Sequence, residues 1–168
     1  LKHGERTIAR LCALGLARYA NNELEDAAAL FSEALSQAPD DARLLSYAGM
    51  TASAAGEREP ALRYFNAAVA NQPGFGPAWL NLAELPLDSE NSDAVLTQLI
   101  EARSQADTAD AAIDMDFALG RLHDRNGDYD EAFADFSHAN APSPKPHSFN
   151  GQATANDQDS HTKNFEGY

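Results

Sequence analysis

The chain has little cysteine and few basic side chains. Its single cysteine, Cys12, excludes an internal disulfide. The absence of disulfides is typical of proteins in a reducing compartment, so we expect a cytoplasmic protein. The net charge of −14, from 26 acidic against 12 basic side chains, disfavours phosphate backbones and anionic lipid surfaces. No apolar run approaches the roughly 18 residues that span a bilayer. We therefore expect neither a nucleic acid nor a membrane as partner.

The chain also lacks an initiating methionine, since it begins at Leu1. We expect it to be a fragment or a processed form, and a targeting segment could already be missing.

Aromatic residues make up only 8% of the chain, whereas alanine occurs more often than any other residue. Alanine is the best helix former, because it loses no side-chain entropy in a helix. This composition favours an all-α fold.

Glycine, phenylalanine and proline recur at fixed offsets of 34 and 71 residues. The matched residues are Gly15, Gly49 and Gly120; Phe31, Phe65 and Phe136; and Pro39, Pro73 and Pro144. Alanines at 27, 61 and 132, and at 34, 68 and 139, repeat with the same offsets. Because 71 is two periods of 34 plus three residues, the spacing predicts a degenerate copy in between.

That third copy is present in weaker form. Trp79 follows the positions of Leu11 and Leu45, but Ala83 replaces the glycine and Leu99 the phenylalanine. The three extra residues are predicted near 107–110. In the fourth copy Asp116 stands where the others have Leu, Leu and Trp, so that hairpin either starts differently or exposes this position.

Each repeated residue has an expected role in a pair of antiparallel helices. The glycines let the two helices approach, facing the alanines at 27, 61 and 132. The phenylalanines fill the space between successive hairpins. Pro39 and Pro73 end the second helices, Asp40 and Asp41 cap the next one, and Gly56 and Gly127 form the turns within hairpins.

This period and these residue types resemble the tetratricopeptide repeat (TPR) family over about residues 8–141. The resemblance implies a right-handed α-solenoid of four hairpins, at 8–41, 42–75, 76–109 and 113–141, within an array spanning 1–141. Helices are predicted at 8–20, 24–37, 42–54, 58–70, 76–85, 91–104, 111–125 and 129–141. Residues 142–168 are polar and proline-rich, and are predicted to be a disordered tail.

A narrower resemblance concerns residues 117–141, FALGRLHDRNGDYDEAFADFSHANA. They are similar to the last repeat of bacterial proteins that fuse such repeats to a sulfotransferase domain. The phosphosulfate-binding loop of that domain is absent from the tail. An alternative function is therefore that of a substrate-positioning arm without its catalytic domain.

The sequence contains no recognisable catalytic or cofactor site. Asp124, Asn126, Asp128 and Asp130 surround Gly127, but the spacing does not match an EF-hand, which needs glycine at position 6 and glutamate at position 12. The five histidines form neither a metal-binding spacing nor a dyad with Cys12, which we interpret as an apolar filler. We expect no cofactor, no metal and no enzymatic activity.

The first helices of such hairpins line a concave groove, whose residues follow from the helix phase. The predicted partner-binding residues are Cys12, Leu16, Tyr19, Tyr47, Met50, Leu80, Asn81, Phe117 and Arg121. They are apolar in the first half of the array, and charged residues join them in the last. Some TPR proteins grip acidic chaperone tails with a basic clamp, which these positions lack.

We therefore expect a scaffold that binds a protein or peptide through an apolar or amphipathic segment. Tyr47 and Met50 are predicted to form the anchor, in places that stacking within a hairpin does not need. The alternative, that the groove is covered by another part of the same protein, stays open.

Overall fold

The structure, a computed structural model, describes residues 3–141, which form eight α-helices and a single 3₁₀ turn. The helices are α1 His3–Ala20, α2 Leu24–Gln37, α3 Ala42–Ala54, α4 Arg58–Asn71, α5 Gly76–Glu84, α6 Ser89–Ala102, α7 Ala109–Asn126 and α8 Tyr129–Ala139, with the 3₁₀ turn at Arg103–Gln105. No strand occurs in these residues. The tail predicted to be disordered, 142–168, lies outside the described residues.

These helices pair as antiparallel hairpins and stack into the expected α-solenoid. The predicted bounds of α2 and α3 agree with the structure to the residue, and α7 begins two residues earlier than predicted. Within residues 3–141 no helix is long and apolar enough to cross a membrane.

The turns and helix ends follow from local backbone preferences. Gly56 and Gly127 have φ of 78° and 88°, the left-handed region that glycine enters without a steric cost. Asn22, 34 residues before Gly56, takes φ 61° at the same turn of the first hairpin, since asparagine tolerates this region. Of the two candidate caps, Asp41 serves: its carboxylate accepts hydrogen bonds from the Arg43 and Leu44 amides, each 3.0 Å long.

The atoms nearest to the repeated glycines belong to the repeated phenylalanines. A Cβ atom built on Gly49 would lie 2.6 Å from Cε1 of Phe65, and the same distance is 2.7 Å for Gly15 and Phe31. The approach of the alanines to the glycines stays a prediction. The phenylalanine ring lies beside the glycine of its own hairpin, and Phe31 also reaches Tyr47 of the next hairpin.

The third hairpin departs most from the others. Its first helix, α5, is only nine residues long and packs more extensively against α7 than against its own partner α6. A Cβ on Gly76 would come within 2.3 Å of the Ala111 carbonyl oxygen, which shows how closely α5 and α7 approach. Leu85 and Leu87, in the α5–α6 connection, are buried in the core.

Asp116 is buried, so of the two alternatives expected at this position, exposure is wrong. Its side chain is 7% exposed and lies beside the Arg103 guanidinium, whose Nη2 donates to Oδ2 over 2.7 Å. His138 Nδ1 lies 2.8 Å from the same oxygen. Arg103 occupies the place that Val69 has in the second hairpin, so an ion pair replaces an apolar contact between hairpins.

The hydrophobic core runs without a break from the second hairpin to the fourth. Trp79, Phe65, Met115 and Leu122 are among its most buried side chains. A smaller cluster of Ala27, Phe31 and Ala48 joins the first hairpin to the second. The result is a continuous stack whose inner face is formed by α1, α3, α5 and α7.

Candidate partner-binding groove

The inner face carries two rows of residues at equivalent positions of successive hairpins. One row is Leu16, Met50, Glu84 and Arg121, and the other is Cys12, Ser46, Leu80 and Phe117. Neighbours in a row lie side by side, as the ion pair between Arg121 Nη2 and Glu84 Oε1 shows at 3.3 Å. The rows therefore run along the groove, from apolar at the first hairpin to charged at the fourth.

The apolar end is partly open to solvent. Leu16 is 36% exposed, and Cys12, Met50 and Leu80 are half-buried. These side chains form an apolar surface. A partner that covers it removes apolar area from water, which stabilises the complex. Methionine adapts to irregular partner shapes because it is unbranched and flexible.

The two groove tyrosines have a structural role that the sequence analysis did not assign to them. The Tyr47 ring packs on Phe31 with a centroid separation of 5.4 Å, and Tyr19 packs against the same small cluster. Both tyrosines are half-buried. Replacing Tyr47 would therefore weaken the contact between the first two hairpins as well as the groove.

Ser46 departs from the pattern of the row in which it stands. Its side chain is buried, at 3% exposure, and its hydroxyl has no hydrogen-bond partner among the described residues. The groove surface at this point therefore consists of the residues around Ser46. A groove position read from helix phase alone does not establish exposure.

The charged end contains a pocket of about 720 Å³ between α5 and α7. It is lined by Ala83, Glu84, Phe117, Arg121, Asp124, Arg125 and Phe136. The rings of Phe117 and Phe136 pack together with centroids 6.3 Å apart. The pocket thus combines two aromatic rings with two arginines and two carboxylates, which suits an amphipathic guest.

Both arginines of this pocket have a partner within the chain. Arg121 pairs with Glu84, and Arg125 Nη2 donates to the Ala83 carbonyl oxygen over 2.7 Å. The Asn81 side-chain amide is likewise engaged, donating to the Pro77 carbonyl oxygen over 2.8 Å. A partner that binds here has to compete with these contacts or add to them.

Cys12 is not activated as a nucleophile. Burial raises the pKa of its thiol, and this effect exceeds the opposing influence of Arg43. A raised pKa keeps the sulfur in its unreactive thiol form at neutral pH. Both described histidines with side-chain partners, His123 and His138, contact aspartates elsewhere, at Asp135 and Asp116.

Among the described residues, no group of three or more His, Cys, Asp or Glu side chains could hold a metal ion. The acidic residues around Gly127 instead surround a helix end, where Gly127 closes α7 in the left-handed conformation.

Phe136 and Arg125 are groove residues that the sequence analysis missed. Phe136 was assigned only to packing between hairpins, whereas its ring also lines the pocket. Arg125 follows Arg121 by one helical turn, so the i to i+4 spacing along α7 was the signal available for it.

Comparison with known proteins gives matches in structure but not in sequence. No family model matches the chain, and neither does any characterised protein at a significant level. The TPR domain of Sgt2 from Aspergillus fumigatus aligns with a TM-score of 0.58 and 24% identity, covering 73% of this chain and 81% of that one. The fold is therefore shared although the sequences have diverged.

Two other structures align over similar lengths. Pseudomonas aeruginosa pilF has a TM-score of 0.69 and 17% identity, covering 82% of this chain and 62% of that chain. The TPR2B domain of yeast Sti1, in its complex with pHsp70, has a TM-score of 0.60 and 18% identity, covering 71% of this chain and 98% of that one. These likenesses establish the TPR-type fold of the array.

Proposed function

We propose that this chain is a protein-interaction scaffold that binds an amphipathic polypeptide segment along its concave groove. The observation that carries the proposal is the gradient along the inner face, from Leu16 and Met50 at one end to the pocket around Phe117 and Arg121 at the other. Structural neighbours such as the Sti1 domain, whose structure is a complex with pHsp70, support a protein or peptide as the class of partner.

The gradient suggests how the guest is oriented. Its apolar side chains would contact Leu16 and Met50, where burial of apolar area contributes about 25 cal/mol per Å². Its polar end would meet the pocket, where Arg121 and Glu84 form a preformed pair of opposite charges. A segment with both a cation and an anion at that end would satisfy both.

An acidic chaperone tail is a poor guest for this groove. Such a tail needs cations that are free to pair with several carboxylates, but Arg121 is paired with Glu84 and Arg125 is bonded to a backbone carbonyl. The overall charge of −14 adds long-range repulsion.

The test uses a displayed library of random peptides selected on the purified chain, followed by affinity measurement of the selected peptides. Leu16→Ser removes an exposed side chain at the apolar end, and Arg121→Ala removes a charge at the pocket. We expect each to weaken binding of the selected peptides by about thirtyfold or more, which corresponds to the roughly 2 kcal/mol of an interface hot spot. Selected peptides should be amphipathic.

Ile100→Ser is the matched control, because Ile100 is 55% exposed on α6, a second helix outside the groove. Helicity and melting temperature are measured on every variant. Unchanged affinity in both groove variants, with the fold intact, would refute the groove as the binding site. A sharp fall in melting temperature for Leu16→Ser would instead indicate that the groove covers a segment of this chain.

We infer a non-catalytic role for the chain itself. The sulfotransferase-arm alternative rests on the sequence resemblance of residues 117–141 alone. It predicts that the phosphosulfate donor does not bind this chain, and that the array nevertheless lowers the KM of a separately supplied catalytic domain for its protein substrate. No change in that KM would exclude the alternative. A cytoplasmic location remains part of the proposal and is tested by fractionation.

A further inference from the structure

The two ends of the stack expose apolar surface at positions that are buried inside it. Leu14 on α1 is 47% exposed, whereas its equivalents Ala48, Leu82 and Leu119 are at most 7% exposed. Ala17 is also exposed, although its equivalent Thr51 is 2% exposed. In each later hairpin, the preceding hairpin covers this face, so the α1 face has the form of an interface without its partner.

The opposite end of the stack carries a matching apolar surface. On α8, Tyr129 is 69% exposed and Phe133 is 75% exposed. Together with Leu14, Leu16 and Ile100, these two complete the set of exposed large hydrophobic side chains of the described residues. Aromatic rings of this size bury about 150–250 Å² each when covered.

The internal stacking of the chain shows how these two ends would fit. Leu24 and Ala28 of α2 line one crevice together with Ala48 and Thr51 of α3. Tyr129 and Phe133 stand 105 residues after Leu24 and Ala28, at the same positions of the last helix. Leu14 and Ala17 stand 34 residues before Ala48 and Thr51, at the same positions of the first helix.

The outer face of α1 has space for a side chain from the opposite end. It carries a hollow of about 570 Å³, lined by Thr7, Arg10, Leu11, Ala13, Leu14 and Ala17. Phe133 of α8 stands at the position that Ala28 occupies within the stack, so its ring is the side chain that would enter this hollow.

Charge favours the same pairing. Helix α1 carries three arginines and one glutamate, whereas α8 carries three carboxylates and neither lysine nor arginine. Arg10 stands on the exposed face where internal hairpins have the buried Leu44 and Met115. Opposite charges on two complementary faces speed association and set its orientation.

We propose that the chain binds a second copy of itself head to tail, with α8 of one copy packed on α1 of the next. The contact joins two different faces, so it is heterologous and leaves a free end on each side. Repetition continues the solenoid from copy to copy and extends the concave groove.

The experiment measures the mass of the full chain by sedimentation velocity over a concentration series at low and high salt. Wild type should form species larger than a monomer, with the apparent Kd rising as salt screens the charges. Leu14→Glu blocks the α1 face, and Phe133→Asp blocks the α8 face. Each variant alone should be monomeric, with at least a tenfold weaker Kd. Ile100→Glu, the matched control on α6, should assemble as wild type does.

Mixing the two blocked variants gives the decisive result. Leu14→Glu retains an intact α8 face and Phe133→Asp an intact α1 face, so an equal mixture should form a dimer and nothing larger. A symmetric contact made by one face alone would give no such rescue and would overturn the proposal. So would a wild-type chain that stays monomeric at low salt, or one that assembles only after residues 142–168 are removed. Circular dichroism confirms that the variants fold, as expected for exposed positions.

Discussion

Gly49→Ala tests the contact on which every regular hairpin of the array depends. In the structure, a Cβ at this position would lie 2.6 Å from Cε1 and 2.8 Å from Cδ1 of Phe65. Carbon atoms in contact prefer about 3.5–4.0 Å, so the ring must move by about 1 Å. Phe65 is only 1% exposed, and the surrounding core has to move with it.

The magnitude follows from two opposing effects. Alanine in place of glycine inside a helix gains about 1 kcal/mol in helix propensity, whereas overpacking a core typically costs about 1–3 kcal/mol. Since Phe65 is enclosed, we expect overpacking near the upper end of its range, at about 2–3 kcal/mol, which leaves a net loss of about 1–2 kcal/mol after the gain in helix propensity. For a chain of this size, that corresponds to a melting temperature lower by roughly 2–8 °C. Gly49→Leu should cost more.

The third hairpin supplies the rescuing substitution. There Ala83 stands at the glycine position and Leu99 at the phenylalanine position, and both are completely buried. Phe65→Leu alone should destabilise by about 1–2 kcal/mol, less than the 3–5 of a Phe→Ala change. Combining Phe65→Leu with Gly49→Ala recreates the alanine–leucine pair of the third hairpin. The double variant should therefore lose less free energy of unfolding than the sum of the two single losses, by about 1 kcal/mol or more.

The free energy of unfolding is measured in urea by circular dichroism for wild type, the two single variants and the double variant. Gly120→Ala serves as a graded comparison, because Phe136 is only half-buried and its ring can shift toward solvent. Its loss should therefore be smaller than that of Gly49→Ala. If Gly49→Ala proves as stable as wild type, or if Phe65→Leu gives no rescue, the glycines are not selected by the aromatic contact.

Three further predictions concern single charged or reactive groups. Arg103→Ala leaves His138 as the remaining partner of the buried Asp116 and should cost about 1–3 kcal/mol, whereas Arg103→Val with Asp116→Leu should be neutral or stabilising; urea unfolding of both variants decides. The pKa of Cys12 is raised by burial, so its alkylation at mildly alkaline pH should be slower than in the urea-unfolded chain, and equal rates would refute this. Hydrogen bonds from Asn91 lower the pKa of Asp88; its stabilisation is present above the unperturbed value near 3.9 and is lost as the pH falls through the lowered pKa. In Asp88→Asn the melting temperature should therefore depend less on pH in that acidic range than it does in wild type.

The groove was predicted less completely than the helices. Leu16 is 36% exposed, Cys12 and Met50 are half-buried, and Arg121 lines the pocket at the charged end; that they bind a partner stays a prediction. Tyr47 proved to be part of the contact between hairpins. Helix phase gives the direction in which a side chain leaves its helix, but the neighbouring helices decide how much of it remains uncovered.

The sequence by itself determined the helices, their order and, within two residues, all of their ends except the start of α1, which lies at His3 rather than at the predicted residue 8. These depend on interactions between residues close in the chain: the 34-residue period, the prolines after α2 and α4, the glycines at the turns and the cap at Asp41. The repeated glycine also indicated that two surfaces meet closely, although the structure was needed to show that the phenylalanine ring is its nearest neighbour.

Only the tertiary structure decided which surfaces meet across hairpins. In the sequence, Asp116 is a polar residue at an apolar position. The structure shows that Arg103 and His138, 13 and 22 residues away, contact its carboxylate. The short α5 packs against α7 because Gly76 and Ala111 leave room for close approach, a pairing that no local signal specifies. Contacts between residues far apart in the chain depend on the shape and volume of every side chain between them, and the sequence pattern records only the period at which those side chains recur.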